Sequence, residues 1–388
     1  MKILFLSNQA SKTGAPVVLL EFLKWLKKNS NHQARIILLT DGILFGEFKP
    51  FGKILRFEKT RGFFGTAFNY GMKEVFPFIP ELINRIKTWF FLLDFKPDLI
   101  YANTVVTAPV IPYIRKSKST PVICHVHELE HIIGVLFGKA GLTKVDPYID
   151  RYIVVAKALE ENLRTKHGIP GEKIDLIREH IRFAGHQVPG ESISEKIKPD
   201  PDTFFVFGCG SLHWFKAPEL FILTAREVLR RTKRPFKFIW VGKHEPLALY
   251  QQLQYVIDRV NISGHVEFIG FHESPVDLFS GADVFYLTSH EDPYPLVCLE
   301  AASQGKPVIC FEGSGGMPEF VRDDAGFIVP YLDINAAADR IVRLMDDPGL
   351  KSRLGKTGRE RVHAENSVEK TGPAILQLIE KLGKEYQR

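Results

Sequence analysis

Short runs of apolar residues recur along the chain and alternate with segments of helical, 3.6-residue periodicity. In the first half the runs fall at 3–6, 35–39, 99–101, 122–126 and 152–155. In the second half they fall at 204–208, 236–241, 266–270, 284–287, 308–310 and 326–329. Amphipathic segments such as 17–28, 219–231 and 247–259 lie between them. Runs that are apolar throughout predict strands buried on both faces. Such strands separated by helices predict an α/β protein with parallel sheets.

The alternation weakens between about 186 and 203, where the chain is polar and Pro-rich. Strand, loop and helix resume at Phe204. The expected organisation is two Rossmann-like domains, 1–190 and 204–370, with a linker over 191–203. A last helix over 371–388 can pack on either domain. In such sheets ligands sit beyond the carboxyl ends of the strands, so two facing domains are expected to enclose a cleft.

Composition narrows the class. A length of 388 residues suits two domains, and 45% hydrophobic with 25% charged residues is ordinary for a globular protein. No run approaches the roughly 18 apolar residues of a membrane span, and residues 1–7 are too short for a signal-peptide core. Cys124, Cys209, Cys298 and Cys310 lie in apolar runs without zinc or redox spacing, which predicts reduced thiols in a cytoplasmic protein. The net charge of +6 comes with no dense basic stripe, which argues against nucleic acid as a partner. Aromatics mixed with cations over 45–61 and 63–95, among them Phe45, Lys49, Arg56, Trp89 and Phe90, suit the inner face of a membrane. An aromatic core with solvated Lys and Arg is the plainer reading of the same residues.

The most informative stretch is 289–308. Asp292 sits in a Pro-rich loop, and Glu300 sits one to two turns into the apolar-periodic segment that follows. Gly305 and Pro307 mark that segment's end. Two carboxylates thus bracket a helix start, whose unpaired N–H groups suit a phosphate while the acids suit hydroxyls. Two further loops follow strands. In 7–16, Gly14 lets the backbone approach a ligand closely, although a glycine there also serves as a plain turn. In 208–217, Lys216 precedes a helix and can neutralise a diphosphate, or simply lie on the surface. His127-Glu-Leu-Glu-His131 matches the zincin pattern, but that chemistry needs both His on one helix, and here the segment follows a strand directly. His127 is better placed at the end of that strand, beside a reacting sugar.

From about 204 to 362 the chain resembles the retaining glycosyltransferases of family 4, which have the two-domain GT-B fold. The resemblance rests on several pieces in order: Gly210-Ser-Leu-His-Trp-Phe-Lys-Ala217, Val241-Gly242-Lys243, Val266-Glu-Phe-Ile-Gly-Phe271, Ala282-Asp-Val-Phe-Tyr-Leu-Thr-Ser289, Asp292-Pro-Tyr-Pro-Leu-Val-Cys-Leu-Glu300 and Gly315-Gly-Met-Pro-Glu319. The first half is similar more loosely, through Gly14-Ala15-Pro16, Pro97-Asp-Leu-Ile-Tyr-Ala-Asn103 and His125-Val-His-Glu-Leu129.

The resemblance implies a transfer of sugar from a nucleotide diphosphate sugar to a glycan or lipid-linked acceptor. It implies retained configuration, no metal and no cofactor, in cell-surface polysaccharide or lipopolysaccharide biosynthesis. Lys216 is then expected at the diphosphate, aided by the N–H groups near Leu296 and Val297. Glu300 is expected at the ribose, Asp292 near the donor sugar, and His127 at the sugar site. Gly14 and Ala15 are expected near phosphate or acceptor, and Gly242 with Lys243 at the nucleotide. The chain departs from the pattern in three places. Asp292 stands for the usual Glu, with Glu291 beside it; Ser211 and Phe215 stand where an Arg commonly assists the Lys; and Ala217 stands for Gly. Lys12, Lys243 or Arg322 are candidate substitutes for that Arg. The departures leave open a non-catalytic nucleotide-sugar-binding protein, or another GT-B enzyme such as an epimerase or phosphorylase.

Overall fold

A computed structural model describes residues 1–57, 78–115, 119–183, 202–272 and 278–386. Most of the expected linker and part of the aromatic stretch, 58–77, lie outside the described residues. The chain divides into two units. One is Met1–His180 together with Val368–Arg388, and the other is Ile181–Ser367.

The first unit is built on seven strands: β1 (Lys2–Ser7), β2 (Gln33–Leu38), β3 (Gly52–Arg56), β4 (Leu99–Asn103), β5 (Val122–Val126), β6 (Arg151–Val154) and β7 (Ile174–Leu176). They form one sheet in the order β3-β2-β1-β4-β5-β6-β7, and every pairing is parallel. β4 and β5 are buried at every position, which is why they read as unbroken apolar runs. The edge strands β3 and β7 are only partly buried, and their mixed sequences carry no such signal. The helix Gly14–Asn29 lays Val18, Leu19, Phe22, Leu23 and Leu26 on the sheet and ends on Lys27 and Lys28, which suit the negative end of its dipole.

The C-terminal helix, Val368–Tyr386, belongs to this first unit. Its Ile375, Leu378, Ile379 and Leu382, one stripe at helical spacing, join the cluster that holds Leu19, Phe22 and Leu23. Gly372 meets the Trp25 ring so closely that a Cβ there would lie 2.6 Å from it. Tyr386 OH donates to Asp150 at 2.6 Å. The expected boundaries therefore shift. The first unit ends at 180 rather than 190, the second begins at 181 and ends at 367 rather than 370, and the last helix starts at 368. The two crossings of the chain meet within the second unit, where Ile181 N–H donates to Asn366 O at 3.0 Å and the Phe183 ring stacks on His363.

The second unit carries β8 (Phe204–Cys209), β9 (Phe236–Val241), β10 (Val266–Phe268), β11 (Val284–Tyr286), β12 (Val308–Phe311) and β13 (Gly326–Val329). Their order is β10-β9-β8-β11-β12-β13, again with parallel pairings throughout. Phe221, Phe238, Trp240 and Tyr286 fill the core between the sheet and the helix Pro218–Arg231. In both sheets the strand order reverses beside the first strand, at β1/β4 and at β8/β11. Loops leaving the carboxyl ends diverge at such points and leave a crevice.

Candidate functional site

In the second unit, the loop after β8 brings Lys216 to the β8/β11 switch point. A short helical turn, Trp214–Lys216, ends in Ala217, whose left-handed backbone (φ 48°, ψ 54°) starts the helix Pro218–Arg231. That conformation costs an alanine roughly 1–2 kcal/mol, which accounts for a preference for glycine at this place. The loop after β11 clamps the turn: Thr288 Oγ1 donates to Lys216 O at 2.8 Å, and His290 N–H donates to Phe215 O at 2.8 Å. Lys216 Nζ donates to Asp292 Oδ2, which also accepts from Ser289 Oγ at 3.2 Å. Asp292 is itself buried and fixed from behind, since its N–H donates to Ser314 O at 2.7 Å and Gly316 N–H donates to Pro293 O at 2.9 Å.

The helix Leu296–Ser303 follows Pro295 with no side-chain cap and no acid in its first turn. The N–H groups of Leu296 and Val297 thus open a helix whose positive end is uncompensated. Glu300 lies one turn in, and burial alone pushes its carboxyl up to about 7. Cys209 links the parts. Burial first and the nearby Glu300 second raise its thiol pKa, Lys216 opposes both, and the result is pushed up to about 12. Lys216, Asp292 and Glu300 are therefore brought into one neighbourhood. Gly242, at the end of β9, packs where a Cβ would lie 1.9 Å from Gly210 O, so it lets two strand-end loops approach. Lys243 Nζ lies 5.7 Å over the Phe271 ring.

In the first unit, Gly14 and Ala15 open the helix after β1, and His127 follows β5 directly. The helix after it starts only at Glu130, so His127 and His131 do not share the helix that the zincin pattern requires. His127 is nine-tenths buried with both ring nitrogens engaged: Nδ1 lies 2.7 Å from Glu179 Oε1, and Nε2 lies 3.1 Å from Asn103 Oδ1. Burial pulls its pKa down, but the charge and hydrogen bond of Glu179, with help from Glu128, leave it raised above 6.5. The His125 ring packs 4.1 Å away, bonded through Nδ1 to Tyr101 OH at 2.8 Å, and burial holds it well below the usual range. Among the described residues, His125, His127 and Glu179 are the one trio near enough to share an ion. Their contacts are those of a hydrogen-bonded pair, His127 with Glu179, beside a neutral His125.

Glu179 and Asn103 carry no sequence motif. Asn103 ends β4 and is recognisable only as the polar end of an apolar run. Glu179 lies beyond the edge strand β7, and nothing near it in sequence points to His127.

With these features placed, the comparisons with known proteins agree on a class. The family model for glycosyl transferases group 1 matches residues 190–361, and that for glycosyltransferase family 4 matches residues 12–181. The chain belongs to the group 1 glycosyltransferases and has the GT-B fold. It is similar to the lipopolysaccharide core biosynthesis glycosyltransferase LpsD of Rhizobium meliloti, with 27% identity over 46% of this chain and 50% of that protein. It is also similar to the capsular polysaccharide biosynthesis glycosyltransferase CapM of Staphylococcus aureus, with 24% identity over 54% and 56%. The chain spans about half the length of these curated relatives in each match. Among solved structures, Anabaena HepE in complex with UDP and glucose superposes with a TM-score of 0.78 at 21% identity, covering 98% of this chain and all of the other.

Proposed function

We propose that the protein transfers a sugar from a nucleotide diphosphate sugar to a glycan or lipid-linked acceptor in cell-surface polysaccharide biosynthesis. The observation that carries this reading is the meeting of Lys216, Asp292 and an uncapped helix start at the β8/β11 switch point. The relatives' roles in lipopolysaccharide and capsule synthesis, and the UDP and glucose bound by HepE, support the substrate class.

In this mechanism the diphosphate lies against Lys216 and the N–H groups of Leu296 and Val297, which take up the charge that grows on it. The bond from the sugar's C1 to the diphosphate oxygen breaks, and the bond from C1 to the acceptor oxygen forms on the same face. The acceptor's proton passes to the departing phosphate oxygen. Configuration is retained, and no metal cofactor is needed because cation and helix dipole supply the charge. Glu300 accepts from the ribose hydroxyls, Asp292 lies by the donor sugar, and His127 donates to a sugar hydroxyl. Gly242 and Lys243 flank the nucleotide, and Gly14 and Ala15 the acceptor or phosphate.

The acceptor is reached from the inner face of the cytoplasmic membrane. Leu82, Ile86, Trp89, Phe90 and Leu93 are all exposed along the helix Phe78–Leu92 and its end, at helical spacing, with Arg85 and Lys87 between them. Among the described residues no helix is long and apolar enough to cross a membrane.

The test is release of free nucleoside diphosphate from UDP-, GDP- and ADP-sugars, measured with and without an acceptor extract, after a thermal-shift screen of the same donors. Acceptor-dependent release supports transfer. Donor binding without release favours a non-catalytic binding protein, the reading encouraged by Ser211 and Phe215 beside Lys216. Release or isomerisation that ignores the acceptor overturns transfer in favour of another GT-B reaction.

A further inference from the structure

The side chains around His127 leave it little choice of protonation state. Asn103 Nδ2 donates to Ala15 O at 2.9 Å, which turns the amide oxygen toward His127 Nε2. A carbonyl oxygen only accepts, so Nε2 must carry a proton. Nδ1 faces a Glu179 carboxylate oxygen, so the second proton is shared in that pair. The surroundings favour placing it on the ring. Glu128, the other acid in contact, is an acceptor of two backbone N–H groups, from Val105 and His127, both at 3.1 Å. His125 and His180 are titratable neighbours too, and burial pulls the pKa of both down. His180 Nε2 faces Val18 O at 3.0 Å and Nδ1 faces Thr371 Oγ1 at 2.8 Å, an arrangement a neutral ring satisfies. Tyr101 is raised by burial and stays protonated on His125.

The backbone beside Asn103 is held under strain. Thr104 has φ 85°, a region that β-branched residues rarely adopt and that costs about 1–3 kcal/mol. It is fixed by its N–H on His125 O at 2.8 Å, by its Oγ1 accepting from Val106 N–H at 3.0 Å, and by Val105 N–H on Glu128. Strain held by so many bonds serves to aim a neighbour, here the Asn103 oxygen at the ring.

We propose that Glu179 is a positioning residue that, with Asn103, holds the His127 ring as a two-fold hydrogen-bond donor, so that its Nε2 proton is offered to a substrate oxygen that replaces the Asn103 oxygen. That oxygen is a sugar hydroxyl or a phosphate oxygen, and this last step rests on the transferase reading above. No covalent change is involved; the proton moves only between hydrogen-bond acceptors. Because the folded pKa of His127 is raised, the pair stabilises the fold below pH 6.5 and the contribution is lost as pH rises through the folded value.

The test follows the ring nitrogens of His127 by NMR in the full chain labelled with ¹⁵N-histidine, assigned with His127→Gln, from pH 5.5 to 9. Both nitrogens are expected to stay protonated above the ordinary His midpoint, and Glu179→Gln is expected to lower the midpoint by about one pH unit or more. Glu179→Asp, which keeps the charge, should restore most of that shift, so a folding defect in one variant does not decide the matter. In turnover, the loss of kcat/KM in Glu179→Gln should grow from pH 6 to pH 8. A wild-type ring with one bare nitrogen at pH 7, a midpoint indifferent to Glu179→Gln, or equimolar metal retained after chelation would each overturn the proposal. If no donor is ever turned over, the transferase reading fails while the NMR result still decides the role of Glu179.

Discussion

Lys216 and Asp292 form an ion pair at the carboxyl edge of the second sheet, between the loops that follow β8 and β11. The pair places the expected phosphate cation against the expected sugar-binding acid. A diphosphate that takes Lys216 must therefore compete with Asp292 Oδ2. Replacing Asp292 by Asn should tighten binding of UDP or GDP alone several-fold, measured by calorimetry, while lowering turnover of the sugar donor. Lys216→Ala should weaken the same binding by about 1–3 kcal/mol, the worth of a charge-assisted hydrogen bond. If Lys216→Ala binds and turns over donor like the wild type, the phosphate assignment is wrong.

Glu300 supplies a pH dependence with a definite sign. Its folded pKa, pushed up to about 7 by burial, exceeds its unfolded value near 4.5, so the folded state binds more protons in that window. Stability then falls as pH rises from about 4.5 to 7. Glu300→Gln removes that penalty and should be more stable than the wild type at pH 8, on the order of 1–3 kcal/mol, with little difference at pH 4.5. Denaturant unfolding at the two pH values measures it. The same substitution should abolish any strengthening of donor binding between pH 6 and 8, because the carboxyl ionises into a stronger acceptor over that range and an amide does not.

The exposed stripe on the helix Phe78–Leu92 makes membrane association measurable. Co-sedimentation with vesicles containing anionic lipid should exceed that with purely zwitterionic ones. Leu82→Ser, Trp89→Ser and Phe90→Ser combined should reduce it about tenfold or more, given the apolar area removed. Unchanged binding by the triple variant would assign the stripe to some other contact.

Packing of the C-terminal helix can be probed at Gly372. An added methyl meets the Trp25 ring at 2.6 Å, so Gly372→Ala should destabilise the first unit by about 1–3 kcal/mol in thermal unfolding. Pairing it with Trp25→Leu should recover part of the loss, because the obstructing ring is gone. Equal stability of Gly372→Ala and wild type would contradict the close approach.

The inner strands were legible because burial on both faces writes them as continuous apolar runs, as in β4, β5 and β8. Edge strands β3 and β7 were not, since among the described residues one side of each faces no further strand and tolerates Lys53, Arg56 and Asp175. Lys216 and Asp292 could be singled out because each follows a strand and sits beside a helix start. Glu179 could not, because its relation to His127 is made across the sheet rather than along the chain. The owner of the last helix was likewise undetermined: its apolar stripe fixes that it must pack, and only the Trp25 and Leu19 surfaces settle where.

The return of the C-terminal helix to the first unit has a consequence for biosynthesis. The surface formed by Leu19, Phe22 and Trp25 is made on the ribosome before the second unit, while Gly372, Ile375 and Ile379 follow it. The second unit, a continuous stretch from Ile181 to Ser367, can complete itself first. The first unit must wait with an uncovered apolar face until the helix Val368–Tyr386 has emerged, so a nascent chain stalled between 180 and 368 exposes apolar surface that favours aggregation.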